Sequence, residues 1–279
     1  MSQPALQSQD ADIVHAAMNY AVDTGVKPVA ETGGKDGLER NSTTVIARHV
    51  VPIADARPLR AGLSLDTSGF ELLDQPTRVK SFLDPDEIAA VYYPEMEALI
   101  AARSGCARVH VFDHTVRHGD AETRTAKKLR EPVKAVHNDY TDWSGPQRVR
   151  DFFPEQAADL LSRRVAIIQV WRPIAAPVER DPLVIADARS IAEKDLIPTE
   201  RRFPDRVGEI YQFTYNPAHR WFWFPRMHRD EAIVFKVYDS MTDGRARWGA
   251  HAAFDNPLAP PDAPPRESIE IRTLVRYPD

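Results

Sequence analysis

The sequence predicts a mainly β protein with helical cover, of the closed or double-sheet kind that includes jelly rolls. Three observations carry this prediction. Short alternating or apolar runs recur through the second half of the chain, among them PLVIAD, EIYQFTYN, RWFWFP, DEAIVFKVYDS and SIEIRTLVRY. Helical patterns are few and precede the long apolar run at 165–174. Proline outnumbers glycine, 23 to 12, where average usage would give about 14 and about 20. That excess points to short elements joined by rigid turns.

The elements follow in order. Residues 1–10 read as a flexible terminus, and 11–279 as a single domain with an N-terminal extension around the core. Residues 11–23 are expected to form a short helix, with Ile13, Ala17 and Tyr20 on one stripe. Residues 31–42 are polar and turn-rich, a connector. TTVIARHVVPI at 43–53 is β-branched and reads as a strand. Residues 84–105 form the clearest helix: Asp84 or Asp86 caps it, Arg103 sits in its last turn and Gly105 ends it. Residues 107–118 alternate as a strand, 118–132 form a charged loop, and 133–141 alternate again. Pro154 starts a helix over 154–164, and Pro173 closes the apolar strand at 165–174. The proline-rich loop DNPLAPPDAPP at 255–265 precedes the last strand.

Composition removes several function classes. With 43% hydrophobic and 28% charged residues and a net charge of -5, the chain is an ordinary globular one. It holds no G-x-G-x-x-G and no G-x-x-x-x-G-K-[ST], so classical dinucleotide and P-loop sites are excluded. One cysteine, Cys106, makes neither an internal disulfide nor a cysteine-rich metal site, and no neighbour activates it. Lys and Arg are dispersed, which predicts no nucleic-acid partner. No apolar run is long enough to span a bilayer, and the start MSQPALQSQDAD is not a secretory signal. The expectation is a cytoplasmic protein with a small-molecule partner.

Three of the nine histidines begin an H-x-D triplet: His118–Asp120, His137–Asp139 and His228–Asp230. Chance alone would supply about half a triplet. The pattern matters because residues i and i+2 of a strand share a face. It therefore delivers an imidazole and a carboxylate to one point. A second histidine from a later strand completes the 2-His-1-carboxylate set that holds Fe(II) with open positions. His137–Asp139 ends the alternating run Val133, Ala135, His137, Asp139, with room for several strands before His251. His118–Asp120 lies in a loop, and His228–Asp230 is close to its only downstream histidine. The third ligand is His251, with His228 as competitor.

Arg266, Ser268, Glu270 and Arg272 share one face of the last strand by period 2. A guanidinium and a hydroxyl there suit the far carboxylate of a dicarboxylate cosubstrate. The plain reading is an amphipathic edge strand. Trp221 and Trp223 in RWFWFP, together with Trp171 and Tyr140, are expected to wall an apolar substrate pocket; packing is the plain alternative. His110, His114 and Arg117 read as structural, with Asp113 as their partner.

Taken together, VFDHTVR, KAVHNDYT, QVWRPI with PLVIAD, HRWFWFPRMHRDEAIVFKVYDS, AHAAF and PPRESIEIR resemble the iron(II)/2-oxoglutarate oxygenase family typified by the cephalosporin methoxylation hydroxylase. Gibberellin desaturase-like and meroterpenoid endoperoxide-forming oxygenases belong to the same group. The resemblance runs from about residue 12 to the C-terminus, and the order of the blocks makes it specific. It implies a double-stranded β-helix core with Fe(II), 2-oxoglutarate and O2. It implies His137, Asp139 and His251 as ligands, AHAAF favouring His251 over His228. It implies Arg266 with Ser268 on the 2-oxoglutarate carboxylate, with Arg272 as second choice. Gln169 departs from the family pattern, which has asparagine before the V-W-R-P block. The implied activity is hydroxylation, desaturation or another oxidation of a small secondary metabolite, with 2-oxoglutarate converted to succinate. Two alternatives stand beside it: a non-catalytic jelly-roll scaffold, and a cupin-like metalloenzyme that does not use 2-oxoglutarate.

Overall fold

The computed structural model describes residues 12–33 and 39–278; the segment 1–10 lies outside the described residues. Fifteen strands are present among them. In chain order they are β1 (Ile13–Ala21), β2 (Val29–Gly33), β3 (Glu39–Ser42), β4 (Ile46–Asp55), β5 (Phe70–Asp74), β6 (Arg108–His118), β7 (His137–Asn138) and β8 (Val165–Pro173). There follow β9 (Leu183–Ala186), β10 (Leu196–Arg202), β11 (Val207–Phe213), β12 (Trp221–Trp223), β13 (Glu231–Asp239), β14 (His251–Ala253) and β15 (Glu267–Arg276). Ten form a large sheet in the order β1-β4-β12-β9-β14-β7-β11-β10-β2-β3. Five form a smaller sheet, β5-β13-β8-β15-β6. The large sheet curls: β1 stands at its edge, yet Asn19 bridges Ala135 on the approach to β7. The predicted double-sheet architecture is what forms.

Strand β8 shows how the layers are built, because it is buried along its whole length. Val165, Ile167 and Trp171 point into the core between the sheets. Ala166, Ile168 and Val170 point the other way, onto Ile88, Tyr92, Met96 and Ile100 of the helical cover. Each large aliphatic side chain so buried contributes about 1.5–3 kcal/mol. The cover is the helix expected at 84–105. It runs as α1 (Pro85–Glu87), a π turn at Ile88–Tyr92 and α2 (Tyr93–Ser104). The Asp84 carboxylate accepts from the backbone N–H of Asp86 and Glu87. Gly105, at φ 66°, closes it in the left-handed region that glycine tolerates. A third core lies in the curl of the large sheet, under β1 and β4.

Four local expectations are corrected. The helix expected over 11–23 is instead the strand β1 (Ile13–Ala21). Val14, Ala16, Met18 and Tyr20 alternate inward, and a register from Ile13↔Ala54 to Ala21↔Ile46 holds them. The connector expected at 31–42 contains the end of β2 and all of β3, which pair with each other. The charged loop at 118–132 contains a helix, α3 (Ala121–Lys127), because Asp120 caps it through Thr123 N–H at 2.8 Å. Asp120 N–H also donates to His118 Nδ1 at 3.0 Å, so that H-x-D triplet is a capping turn. The alternating run at 133–141 yields only the two-residue β7. A helix α4 (Ser144–Phe152) and strand β10 carried no signal that was read, while the helix expected over 154–164 is the short α5 (Ala157–Leu161).

Candidate metal centre

His137 on β7 and His251 on β14 are direct cross-strand partners, so their rings share the inner face of the large sheet. The ring centroids lie 4.3 Å apart. His137 Nδ1 meets the Ala135 carbonyl at 2.8 Å, and His251 Nδ1 meets the Gly249 carbonyl at 2.7 Å. A carbonyl only accepts, so each Nδ1 carries the proton and each Nε2 keeps its lone pair. That is the tautomer a metal-binding histidine needs, with the second nitrogen fixed from behind.

Asp139 completes the group. One donor atom from each of His137, Asp139 and His251 lies within 4.8 Å of the others. Asp139 is held from the smaller sheet. Its Oδ2 accepts from Gln169 Nε2 at 2.7 Å and from Arg272 Nε at 3.0 Å. Its Oδ1 stays on the histidine side, 3.6 Å from His137 Nε2. Two imidazole nitrogens and one carboxylate oxygen, each with its orientation fixed, fit a hard or borderline divalent ion such as Fe(II).

Protonation suits the same purpose. Burial, with the neighbouring His251, pushes the His137 pKa down from 6.5 to about 3. Burial alone would raise Asp139, but Arg272 and the two histidines hold it well below the usual carboxylate range. At neutral pH His137 is therefore a neutral imidazole and Asp139 an ionised carboxylate. Both shifts act on stability in one direction. The unfolded chain takes up a proton near pH 6.5 that the folded His137 refuses until about pH 3. Asp139 likewise favours the fold only above its unfolded pKa, an advantage lost as pH falls through its depressed one. Thermal unfolding of the metal-free protein should thus show a Tm that falls steadily from pH 6.5 to pH 4. A flat Tm over that window would contradict the burial of His137.

Beside the triad lies a second feature. Arg266 is 3% exposed, donates from Nε to Ser268 Oγ at 3.0 Å and from Nη1 to the Asp181 carbonyl at 2.7 Å, and stands 5.0 Å over the Trp171 ring. Neither hydrogen bond goes to a carboxylate. Burial, and Arg117 nearby, push its pKa down to about 9. A buried guanidinium without an anion is costly to keep. An incoming carboxylate would satisfy it, so this cradle fits the far end of 2-oxoglutarate.

Comparison with known proteins decides the family. A sequence-family profile described as "YDMC: Oxidoreductase/YMDC permease-like domain" matches residues 18–276. The Fe(II)/2-oxoglutarate-dependent dioxygenase nvfI of Aspergillus novofumigatus is 33% identical over 81% of this chain and 83% of its own. The hydroxylase/desaturase efuI of Hormonema carpetanum is 30% identical over 95% of this chain and 96% of its own. The solved structure of the iron and alpha-ketoglutarate-dependent endoperoxidase NvfI superposes with a TM-score of 0.85 at 27% identity, over 96% of this chain and 99% of that one. The chain belongs to the Fe(II)/2-oxoglutarate-dependent dioxygenases. That family implies Fe(II), 2-oxoglutarate and O2. No helix among the described residues of this dioxygenase is long and apolar enough to cross a membrane.

The structure corrects several expectations for the dioxygenase. Trp221 and Trp223 do not wall the site. His251 pairs with Ile185 and Ile185 with Phe222, so Phe222 shares the histidine face. Trp221 and Trp223 point to the opposite face, into the core under β1, where Trp221 Nε1 donates to Tyr20 Oη at 2.7 Å. Trp221→Phe should therefore leave turnover within twofold while costing about 1–2 kcal/mol of stability, a Tm loss of a few degrees. A large fall in turnover would place Trp221 at the site after all. Trp171 and Tyr140 do lie in the core between the sheets, Trp171 with its Nε1 buried and unpartnered. His228 is half exposed beside Glu231 and is not part of the triad. Asp113 bonds Arg272, and His114 Nδ1 meets Tyr93 Oη at 2.7 Å, so Asp113 is not their common partner. Arg272 spends its donors on Asp139, Asp113, Thr115 and Glu270, whereas the hydrogen bonds of Arg266 go to a hydroxyl and a carbonyl. Sequence reasoning missed the role of Gln169 and of the Ala135 and Gly249 carbonyls. A polar residue inside an otherwise apolar buried strand was the available signal for Gln169.

Proposed function

We propose that His137, Asp139 and His251 hold Fe(II) in this dioxygenase, that Arg266 with Ser268 binds the far carboxylate of 2-oxoglutarate, and that the enzyme oxidises a C–H bond of a small secondary metabolite. The observation that supports this most is the pair of histidines whose Nδ1 atoms face carbonyls, leaving both Nε2 lone pairs free in a group where His137, Asp139 and His251 each bring a donor atom within 4.8 Å of the others. Fe(II) with 2-oxoglutarate supplies the oxidising power, by reductive activation of O2 coupled to decarboxylation to succinate. The protein's own groups do the rest. Gln169 and Arg272 keep Asp139 ionised and aimed with one oxygen toward the histidines. Phe222, Ile185, Trp171 and Tyr140 exclude water from the space between the sheets. Residues 11–279 act as one domain, without nucleic acid or membrane as partner. The single, unpaired Cys106 suits a reducing, cytoplasmic setting.

The test is Arg266→Leu. The KM for 2-oxoglutarate, read by succinate formation, should rise at least tenfold with Fe(II) affinity unchanged, and Arg266→Lys should recover part of it. An unchanged KM would reassign the anchor, and Fe(II)-independent or 2-oxoglutarate-independent turnover would favour a cupin-like enzyme.

A further inference from the structure

One arginine suffices for the far carboxylate of the cosubstrate, yet more stand around this centre. Arg117 on β6 lies opposite Ser268 of β15, so it faces the metal centre from the smaller sheet, and it is 7% exposed. Arg130 bridges the backbone of Arg117. Arg201 comes from the large sheet. Ile197 pairs with Gln212 and Gln212 with His137, so by period 2 Thr199 and Arg201 continue the face that carries His137. Arg201 is close enough to feel the charges of Asp139, Arg130, Arg272 and Arg117.

These cations lack anions. Arg272 takes Asp139, Asp113 and Glu270 for itself. Arg117 donates to the backbone carbonyl of Glu131 at 2.9 Å. Arg201 has its Nε buried without a partner. Among the described residues, none of Arg117, Arg130 and Arg201 forms an ion pair with a carboxylate. Burial presses the pKa of both Arg117 and Arg201 down most; Glu270 at Arg117 and Asp139 at Arg201 oppose it next, and the neighbouring arginines add to the fall. Like charges gathered in a poorly hydrated space repel and are expensive to bury. They focus a positive potential that draws in and orients an anion.

We propose that the substrate of this enzyme carries an ionised acid group, docked between Arg117 with Arg130 on one side and Arg201 on the other, apart from the cosubstrate's arginine. This rests on the oxygenase reading above. The test uses the full chain loaded with Mn(II) and 2-oxoglutarate at low salt. Cyclohexanecarboxylate, cyclohexyl phosphate and methyl cyclohexanecarboxylate are titrated, and binding near the metal is read from Mn(II)-induced broadening of ligand proton signals. At least one anion should bind tenfold or more tightly than the ester, and the tighter of the two names the acid group. Arg201→Gln and Arg130→Gln, both at partly exposed positions, should each reduce that preference at least threefold while 2-oxoglutarate affinity holds. Equal binding of acid and ester, no binding of any probe, or displacement of the anion by 2-oxoglutarate would overturn the proposal. Failure of the parent protein to bind Mn(II) or 2-oxoglutarate would overturn the oxygenase reading and this inference with it.

Discussion

His251→Ala is expected to leave less than one hundredth of the parent turnover and no stoichiometric Fe(II) binding. Changes behind a metal ligand commonly cost 10–100-fold in affinity or activity, and this change removes a ligand outright. It also removes the ring that packs against His137 and against Phe235, whose centroid lies 5.0 Å away. Two readouts separate chemistry from folding. The first is the weak visible charge-transfer band given anaerobically by Fe(II) with 2-oxoglutarate, present in the parent and absent in the variant. The second is thermal unfolding in chelator, where the variant should still melt cooperatively. His228→Ala serves as control and should change neither, since His228 sits at the surface beside Glu231. A band that survives His251→Ala would sink the ligand assignment.

Gly249→Ala should be nearly as damaging, although it touches no ligand. A Cβ at Gly249 would stand 2.7 Å from the Lys236 carbonyl oxygen on β13, closer than real contacts allow. The obstacle is backbone, so it does not swing aside. Gly249 is also tied on both sides. Its N–H donates to Asn138 Oδ1 at 3.0 Å and its carbonyl holds His251 Nδ1 at 2.7 Å. Moving it therefore turns the imidazole. The expected outcome is a loss of about 1–3 kcal/mol of stability from overpacking, with Fe(II) affinity reduced 10–100-fold. Denaturant unfolding and metal titration on the same preparation check both. A stable variant with parent-like affinity would show that the loop before β14 has slack.

Much of this was legible from the chain alone because β structure writes period 2 into sequence. His137 and Asp139 could be placed on one face by spacing, as could Arg266 and Ser268. The failures have physical causes too. In residues 11–23 the helical stripe Ile13, Ala17, Tyr20 competed with the alternating set Val14, Ala16, Met18, Tyr20. Only the pairing with β4 chooses between them. RWFWFP declares two opposite faces but not which of them meets the metal. The register with β9 settles that in favour of Phe222. Arg117 and Arg201 were hidden for the same reason. A lone arginine in a strand looks like surface charge until long-range pairing encloses it. Gln169 was noticed only as an oddity, and its hydrogen bond to Asp139 spans 30 positions of sequence.

The three donors of the triad all come from segments of the large sheet, but they are not all held by that one layer. The imidazoles are aimed by the backbone of the large sheet's own segments, and the carboxylate is clamped by Gln169 on β8 and Arg272 on β15. A bound ion is then a rivet through both plates, and its coordination is a gauge of the gap between them. Substitutions in the intervening core, far from any donor atom, will register first as altered metal spectra and only later as lost stability. In this protein, tuning the reactivity of the centre and tuning the spacing of its two sheets are the same operation.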